Sequence, residues 1–267
     1  MKIAILAAGV PKGFPVLFFR PKCLYHFGGE VQLERVIQVA NKFVDEKDII
    51  VVGGYSHRQI QRYLRLKHPK IEYRINKKYR ESAVYSLRKA VENVDDSVVF
   101  MLADENILEN NVEKICNSTR RMAILCEDKY YYYSVGIMKL DSEAIKLIED
   151  DCYLSMEYMK KVYCFANNKE EYDSCFHISS GVCLGYTTID LIRRIGKIKK
   201  IEDPVKTYHG EEIDFIPYDW RNEYIKDVDS FLDTDEYKNN RFLQFYFDKV
   251  YKTSRLIGRK VKHLVLK

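Results

Sequence analysis

Short apolar runs alternate with amphipathic segments along the N-terminal part of the chain, and this alternation constrains the fold most. Runs of β-branched and aliphatic residues predict buried strands, and apolar residues at helical spacing predict the helices between them. The predicted strands are Lys2–Leu6, Asp48–Val52, Ile71–Ile75 and Ser97–Leu102, and the predicted helices are Val31–Val44, His57–Leu66 and Ser82–Val91. Strands and helices that alternate at this pitch predict parallel βαβ units.

The pattern changes after Asn110. Strands are predicted at Met122–Cys126, Tyr131–Met138, Ser179–Leu184 and Glu212–Ile216, with a helix at Asp141–Ile148 that Asp141 or Ser142 caps. The sheet is therefore expected to be mixed and mainly parallel, with antiparallel additions in the C-terminal half, inside a three-layer α/β/α domain. Residues 1–237 form this domain in our interpretation, and residues 238–267 form a basic helical extension.

Composition limits the class of protein and of ligand. A chain of 267 residues with 46% hydrophobic residues can bury the core of one large domain. The net charge of +5 suits anionic substrates such as nucleotides, but it lacks the dense basic stripe of a nucleic-acid-binding protein. No nucleic acid partner is therefore expected.

The cysteines and the N-terminus indicate the compartment. The seven cysteines are scattered without a CxxC pair, which favours reduced thiols over a disulfide framework or a zinc site. The apolar run at the N-terminus is too short for a signal peptide, and no stretch is long enough to span a bilayer. We expect a cytoplasmic protein.

The turn after the first predicted strand is a candidate phosphate-binding loop. Its small residues would let main-chain N–H groups approach phosphate oxygens, and Lys12 would add a cation. The alternative is an ordinary turn between a strand and a helix. The residues in question are Leu6, Ala7, Ala8, Gly9 and Lys12.

Two further segments belong to the same predicted edge of the sheet. Lys22 follows Pro21, whose rigid ring could help to hold the ammonium group on a phosphate that gains charge during transfer. Asp104 directly follows the apolar strand Ser97–Leu102, where a carboxylate could hold Mg²⁺. A solvated lysine and an aspartate that forms a turn are the structural alternatives.

Together, LAAG, PKCL and AD after an apolar strand resemble the signature of the sugar-phosphate nucleotidyltransferase superfamily. The N-x-x-Y and YSL motifs at residues 76–79 and 85–87 are similar to its choline-phosphate cytidylyltransferase branch, which acts in bacterial surface-glycan pathways. The similarity is clearest over residues 1–140. It implies a fold of the kind that GT-A glycosyltransferases share, with a Rossmann-like N-terminal half. The nucleotide-binding residues that it implies are Leu6, Ala7, Ala8, Gly9, Lys12, Lys22 and Ser82.

The resemblance also implies a mechanism and a second metal ligand. The acceptor phosphate attacks the α-phosphate of an NTP, with CTP favoured, and pyrophosphate leaves. Lys22 would be the catalytic cation, and Asp104 and Asp229 would hold Mg²⁺. Asp227 is the alternative to Asp229, and Asp229 could instead cap the next helix.

One departure from the signature supports two competing functions. Pro11-Lys12-Gly13 stands where the family has Gly-x-Arg, and a lysine cannot reproduce the bidentate contact of arginine with phosphate. A glycosyltransferase that uses a nucleotide-sugar donor would share the fold and the aspartate at the strand end. A non-catalytic nucleotide-binding domain would tolerate the altered loop.

The acceptor and the assembly stay open at this point. Residues 130–133 are four tyrosines that could cage the quaternary ammonium of phosphocholine, although alternate strand tyrosines usually face core and solvent. Ser179-Ser180-Gly181-Val182 and Trp220 are other candidates for the acceptor wall, and a sugar 1-phosphate is an equal alternative. The basic tail could contact an anionic membrane, but packing on its own domain is the favoured interpretation. A homodimer is one candidate assembly.

Overall fold

The computed structural model describes residues 1–10, 20–81, 84–105, 107–127, 130–146, 148, 213–218 and 235–245. Its centre is a seven-stranded sheet in the order β5-β4-β1-β6-β8-β7-β9, and β2 and β3 form a separate small hairpin. The strands are β1 (Lys2–Ala7), β2 (His26–Phe27), β3 (Glu30–Val31), β4 (Ile49–Gly53), β5 (Glu72–Ile75), β6 (Val98–Leu102), β7 (Met122–Glu127), β8 (Tyr130–Leu140) and β9 (Ile213–Tyr218).

Helices cover both faces of this sheet. These helices are α1 (Gln32–Ala40), α2 (His57–Lys67), α3 (Val84–Val91), α4 (Glu109–Asn117) and α5 (Ser142–Ile145), and two further short helices, α6 (Asp235–Lys238) and α7 (Arg241–Phe245), follow later in the chain. One core cluster packs α1, α2 and α4 on one face, and a second cluster packs α3 and α5 on the other. The predicted three-layer α/β/α architecture is therefore confirmed.

The central strands explain why the sheet forms. All five residues of β4 and all five of β6 are buried, and β1 is buried from Ile3 onwards. Strands that are covered on both faces carry continuous apolar runs, and this is the pattern that the sequence shows here. Burial of one Ile or Leu side chain contributes about 1.5–3 kcal/mol. The N-terminal strand is therefore part of the folded core.

The strand directions refine the predicted sheet. β1 pairs in parallel with β4 and β6, β4 pairs in parallel with β5, and β7 pairs in parallel with β9. β8 pairs antiparallel with both β6 and β7. Among the described strands, β8 is thus the antiparallel addition, and β7 and β9 run in the same direction as β1. The strand predicted at Ser179–Leu184 lies outside the described residues.

Three helical segments differ from the sequence-based prediction. Helix α4 was not predicted, because only Val112 and Ile115 form its apolar stripe. Helix α1 ends at Ala40 rather than Val44, since the next residues form tight turns in which Phe43 N–H donates to Ala40 O at 3.0 Å. Helix α5 is also short, and the predicted cap is confirmed because Asp141 Oδ1 accepts from Ala144 N–H at 2.6 Å.

The order of the strands locates the region where a ligand is expected. From β1 the chain continues to β4 and β5 on one side, and it returns to the other side of β1 with β6. In open α/β sheets, ligands bind at the carboxyl ends of the strands beside such a switch. Leu6 lies opposite Leu102, so the residues after β1 and those after β6 leave the sheet side by side.

Within the described part of the chain, no helix has the length and apolar character that crossing a membrane requires.

Candidate active site

The turn after β1 combines a buried beginning with an exposed end. Ala7 and Ala8 are buried, whereas Gly9 and Val10 are exposed. Ala8 O accepts from Tyr55 N–H at 3.1 Å, which ties this turn to the segment after β4. A side chain at Gly9 would meet no atom of the described residues within 4 Å, and Gly9 itself is exposed. We call residues 8–10 the β1 turn.

Lys22 begins a 3₁₀ turn that is held by its own backbone. Leu24 N–H donates to Pro21 O at 3.0 Å, and Tyr25 N–H donates to Lys22 O at 3.1 Å. The side chains of Cys23, Leu24 and Tyr25 are all buried against the core. These contacts fix the backbone from which the Lys22 side chain extends. We call residues 20–26 the Lys22 turn.

Lys22 and Asp104 meet at the carboxyl edge of the sheet, as predicted. Lys22 Nζ lies 3.5 Å from Asp104 Oδ2, and the two side chains are 10% and 21% exposed. Ala103 N–H donates to Leu6 O at 3.1 Å, so the strand end that carries Asp104 is bonded to the end of β1. A cation and a carboxylate therefore stand together beside the β1 turn, partly shielded from water.

Burial also shapes the chemistry of neighbouring groups. Burial, and secondly the charge of Asp104, raise the pKa of the Cys23 thiol well above its usual range. Burial raises the pKa of Tyr25 to about 12, against the opposing effect of the Arg20 guanidinium. Both side chains are therefore neutral at physiological pH. Lys22 and Asp104 are charged groups in contact with each other here.

Gln32 supports the strand end that carries Asp104, and the sequence analysis did not identify it. Its side-chain Nε2 donates to Glu105 O at 2.7 Å, and only 1% of the residue is exposed. A buried amide that binds the next peptide group restricts the path of the backbone at Asp104. The available signal was a polar residue at the first position of an otherwise apolar helix face.

The N-x-x-Y motif forms a second support beside the β1 turn. Buried Asn76 donates from Nδ2 to Ser86 Oγ at 2.9 Å, and its Oδ1 accepts from Lys78 N–H at 2.8 Å. These bonds hold Tyr79 against Gly54, where an added Cβ would lie 2.5 Å from Tyr79 Cβ and 2.8 Å from Ala8 O. Tyr79 and the β1 turn thus both pack closely against Gly54.

Asp104 can act as a metal ligand. Mg²⁺ prefers carboxylate oxygens and is commonly held by one or two of them, with phosphate oxygens and water as the other ligands. The Asp104 carboxylate at the edge of the sheet fits this requirement. Among the described residues there is no group of three or more metal-binding side chains, so a metal held here would need ligands from its substrate or from other parts of the chain.

The other predicted site residues lie outside the described part of the chain. These are Lys12, Ser82 and Asp229, together with Asp227, Trp220 and residues 179–182. Strand β8 contains the tyrosines of residues 130–133, but their side chains are not described. The structure therefore brings together Leu6, Ala7, Ala8, Gly9, Lys22 and Asp104.

The N-terminal part of the chain matches known proteins. Residues 3–128, just under half of the chain, match the family described as MobA-like NTP transferase domain. The bifunctional protein GlmU of Buchnera aphidicola subsp. Schizaphis graminum is 28% identical over 179 residues, which cover 64% of this chain. The match spans 38% of the length of that curated relative.

Two solved structures share the fold over most of both chains. One is the inositol-1-phosphate CTP transferase of T. maritima, with a TM-score of 0.55, 13% identity, and coverage of 93% of this chain and 97% of that chain. The other, from Bacillus anthracis, is assigned as a glucose-1-phosphate thymidylyltransferase, with a TM-score of 0.54, 13% identity, and coverage of 91% and 95%. Residues 3–128 thus have the sequence pattern of a MobA-like NTP transferase domain on a fold shared with nucleotidyltransferases, which supports the nucleotidyltransferase superfamily.

Proposed function

We propose that the protein is an Mg²⁺-dependent nucleotidyltransferase that transfers NMP from an NTP to a small phosphorylated acceptor and releases pyrophosphate. The observation that carries this proposal is the 3.5 Å approach of Lys22 Nζ to Asp104 Oδ2 beside the open β1 turn. The sequence match of residues 3–128 to an NTP transferase domain supports the same reaction class.

Lys22 acts on the phosphate groups. Its ammonium carries three N–H donors and a full positive charge, and its side chain is only 10% exposed. A charge that is held in place and shielded from water stabilises the negative charge that develops during phosphoryl substitution. Lys22 therefore binds the α-phosphate region and lowers the barrier to its substitution.

Asp104 holds the metal in this mechanism, with Asp229 as the second ligand that the sequence resemblance implies. Mg²⁺, when bound, neutralises phosphate charge and orients the phosphate for attack. Asp104 orients the complex, because its backbone is fixed by the bond between Gln32 and Glu105 O. Exposed N–H groups of the β1 turn bind phosphate oxygens in the same complex.

The acceptor attacks through its own phosphate oxygen. A phosphate monoester is an anion near neutral pH, so the attack requires no proton removal by the protein. The oxygen forms a bond to the α-phosphorus while the bond to pyrophosphate breaks, and pyrophosphate leaves as an anion. The residues of the site therefore bind and orient rather than transfer protons.

CTP is the favoured donor, and the acceptor is phosphocholine-like or a sugar 1-phosphate. A phosphocholine-like acceptor is supported by the N-x-x-Y and YSL motifs, whose Asn76 and Ser86 bond to each other. The sugar-phosphate type is supported by the fold shared with an inositol-1-phosphate CTP transferase and with a protein assigned as a glucose-1-phosphate thymidylyltransferase. One site can serve either acceptor because both present a phosphate monoester.

A panel of NTPs and phosphorylated acceptors with Mg²⁺, monitored for pyrophosphate release, tests this function. We expect release with one donor–acceptor pair, its loss on chelation of Mg²⁺, and its loss in Asp104→Ala. The matched control is Glu109→Ala, which removes an exposed carboxylate that pairs with Lys42 on another part of the surface. A glycosyltransferase would instead consume a nucleotide-sugar without pyrophosphate. A binding domain would raise its melting temperature with NTP and show no turnover.

A further inference from the structure

Glu236 contacts both flanks of the Lys22 turn from a position far along the chain. Its Oε1 lies 3.0 Å from Arg20 Nη1, on the N-terminal flank. On the C-terminal flank, His26 N–H donates to both carboxylate oxygens, at 3.2 and 3.1 Å. The ring Nδ1 of His26 also lies 2.8 Å from Oε1. One carboxylate therefore bridges the two ends of the segment that presents Lys22.

The neighbouring residue anchors this carboxylate to the β2–β3 hairpin. Asp235 accepts from Gly28 N–H at 3.1 Å and from Gly29 N–H at 2.6 Å. Both glycines have positive φ, of 59° and 85°, which lets two successive N–H groups face the same anion. The Gly29 N–H, with a smaller contribution from Gly28, lowers the pKa of Asp235. Helix α6 is thereby held in place from outside the Lys22 turn.

Further contacts restrain the two ends of the Lys22 turn that Glu236 joins. Arg20 lies over the ring of Tyr25 with its Cζ 5.1 Å from the ring centroid, so Glu236 and Tyr25 both restrain the guanidinium. Tyr25 O accepts from Gln32 N–H at 3.1 Å, which joins the turn to helix α1. The side chain of Glu236 is 20% exposed, and partial shielding strengthens its charged hydrogen bonds.

We propose that Glu236 is a positioning residue for Lys22. Glu236 holds Arg20 and His26 at a fixed separation. The backbone between these two residues therefore cannot shift the ammonium group of Lys22 away from the phosphate. Lysine has a long and flexible side chain, and a displacement of about 1 Å at a reacting group can cost about 100-fold in rate. The expected effect on kcat rests on the proposed function, whereas the fixed geometry of the Lys22 turn is independent of that function.

Steady-state kinetics of variants test the positioning role. Glu236→Ala should lower kcat by about 10- to 100-fold with the KM for NTP changed by less than about threefold. Glu236→Gln should retain most of the activity, because its amide oxygen can still accept the His26 N–H. Glu109→Ala should match the wild type. A loss in Glu236→Ala that appears only in KM, or no loss, would overturn the proposal.

A double-mutant cycle separates positioning from general structural support. In the Lys22→Ala background, the added Glu236→Ala change should cost less than about twofold, because residues that act as a unit are not additive. Full additivity would overturn the role. If Glu236→Ala does not fold, Arg20→Ala removes one of the two bridged flanks, and the same non-additivity with Lys22→Ala is expected.

Hydrogen exchange gives a readout that does not depend on turnover. The amides of Leu24 and Tyr25 do not contact Glu236, yet they should exchange at least about tenfold faster in folded Glu236→Ala, because the turn opens more often. Unchanged exchange at these two amides would overturn the proposal even if the wild-type protein has no transferase activity. Faster exchange in a protein without turnover would instead refute the proposed function alone.

Discussion

The Lys22 turn and the β1 turn meet at the same edge of the sheet but are built in opposite ways. Five consecutive residues of the Lys22 turn, 21–25, are buried, and its backbone bonds to itself and to helix α1. The β1 turn exposes Gly9 and Val10, and no described residue lies within 4 Å of where a Gly9 side chain would be. One turn fixes a charge, and the other offers accessible main-chain N–H groups.

This difference corresponds to two requirements of phosphate chemistry. A charge that stabilises a transition state must already be in place, because its reorganisation would cost free energy during the reaction. A loop that binds phosphate needs close approach of its backbone, which a small and exposed residue permits. We therefore expect substitutions in the Lys22 turn to change kcat and substitutions in the β1 turn to change KM.

The largest effect is expected for Lys22→Ala. Removal of the ammonium should lower kcat by about 10²–10³-fold, as observed when a preorganised group loses its contact with developing charge. Lys42→Ala is the matched control, since Lys42 is an exposed lysine paired with Glu109. Both variants are compared in the pyrophosphate assay. A kcat for Lys22→Ala within about threefold of the control would contradict a catalytic role.

Two glycine substitutions test how closely the β1 turn and its neighbour Gly54 are packed. Gly54→Ala places a Cβ 2.8 Å from Ala8 O and 2.5 Å from Tyr79 Cβ, so we expect a loss of about 1–3 kcal/mol of unfolding free energy. Gly9→Ala meets no neighbour among the described residues, and it should retain or slightly raise stability, by up to about 1 kcal/mol.

Urea denaturation measures the stability of both glycine variants, and the KM for NTP is measured for Gly9→Ala. The added methyl group should raise this KM several-fold while kcat changes little, because it covers backbone that binds phosphate. Equal destabilisation by Gly9→Ala and Gly54→Ala would show that the surroundings of Gly9 are as crowded as those of Gly54, which would contradict an open β1 turn.

Gln32→Leu tests the support of the strand end. It removes the buried hydrogen bond to Glu105 O, so the free energy of unfolding should fall by about 1–2 kcal/mol. It should also lower kcat, because the backbone of Asp104, the residue before Glu105, is then less well held. Gln38→Leu on the same helix is the control, since Gln38 is exposed and its amide bonds to Glu30 at the surface. Similar stability losses in the two variants would refute the special role of Gln32.

The smallest effect concerns a cluster whose hydrogen bonds involve neither turn. His68 is buried, with its ring nitrogens 2.8 Å from Glu46 and 3.0 Å from Glu34. Burial alone would lower the pKa of His68, but the bonds to Glu46 and Glu34 prevail and raise it above 6.5. Burial likewise opposes the change at Glu34, but the bonds from Tyr63 and His68 lower its pKa below 4.5.

The sign of the resulting pH dependence follows from these two directions. The folded state holds the His68 proton more tightly than the unfolded state, so this stabilisation is complete below pH 6.5 and is lost as pH rises through the folded pKa. The contribution of Glu34 is present above pH 4.5 and is lost as pH falls through its lowered pKa. In a plot of the free energy of unfolding against pH, His68→Gln should therefore reduce the decline above pH 6.5. An unchanged slope would contradict this account.

The sequence predicted the fold well because the central strands are continuous apolar runs. It also predicted that Lys22 and Asp104 would meet, since a residue after β6 must lie beside the end of β1 in a sheet of this order. Helix α4 was missed because Val112 and Ile115 alone mark its buried face. Its remaining residues are compatible with a loop.

The supporting contacts could not be predicted because they join distant residues. Gln32 and Glu105 are separated by 73 positions, and His26 and Glu236 by 210. No local sequence pattern identifies such partners, because the structural role of Gln32 or Glu236 depends on the distant group to which the fold brings it. The two glycines that bind Asp235 were also unmarked, because a Gly-Gly turn indicates a hairpin but not its ligand.

The most direct test of the central claim is a crystal structure of the protein with Mg²⁺ and a non-hydrolysable CTP analogue. We predict one nucleotide at the carboxyl edge of the sheet, with its phosphates between the Lys22 ammonium and the metal held by Asp104, and against the backbone of Gly9. A nucleotide bound elsewhere, in contact with neither Lys22 nor a metal held by Asp104, would contradict the account.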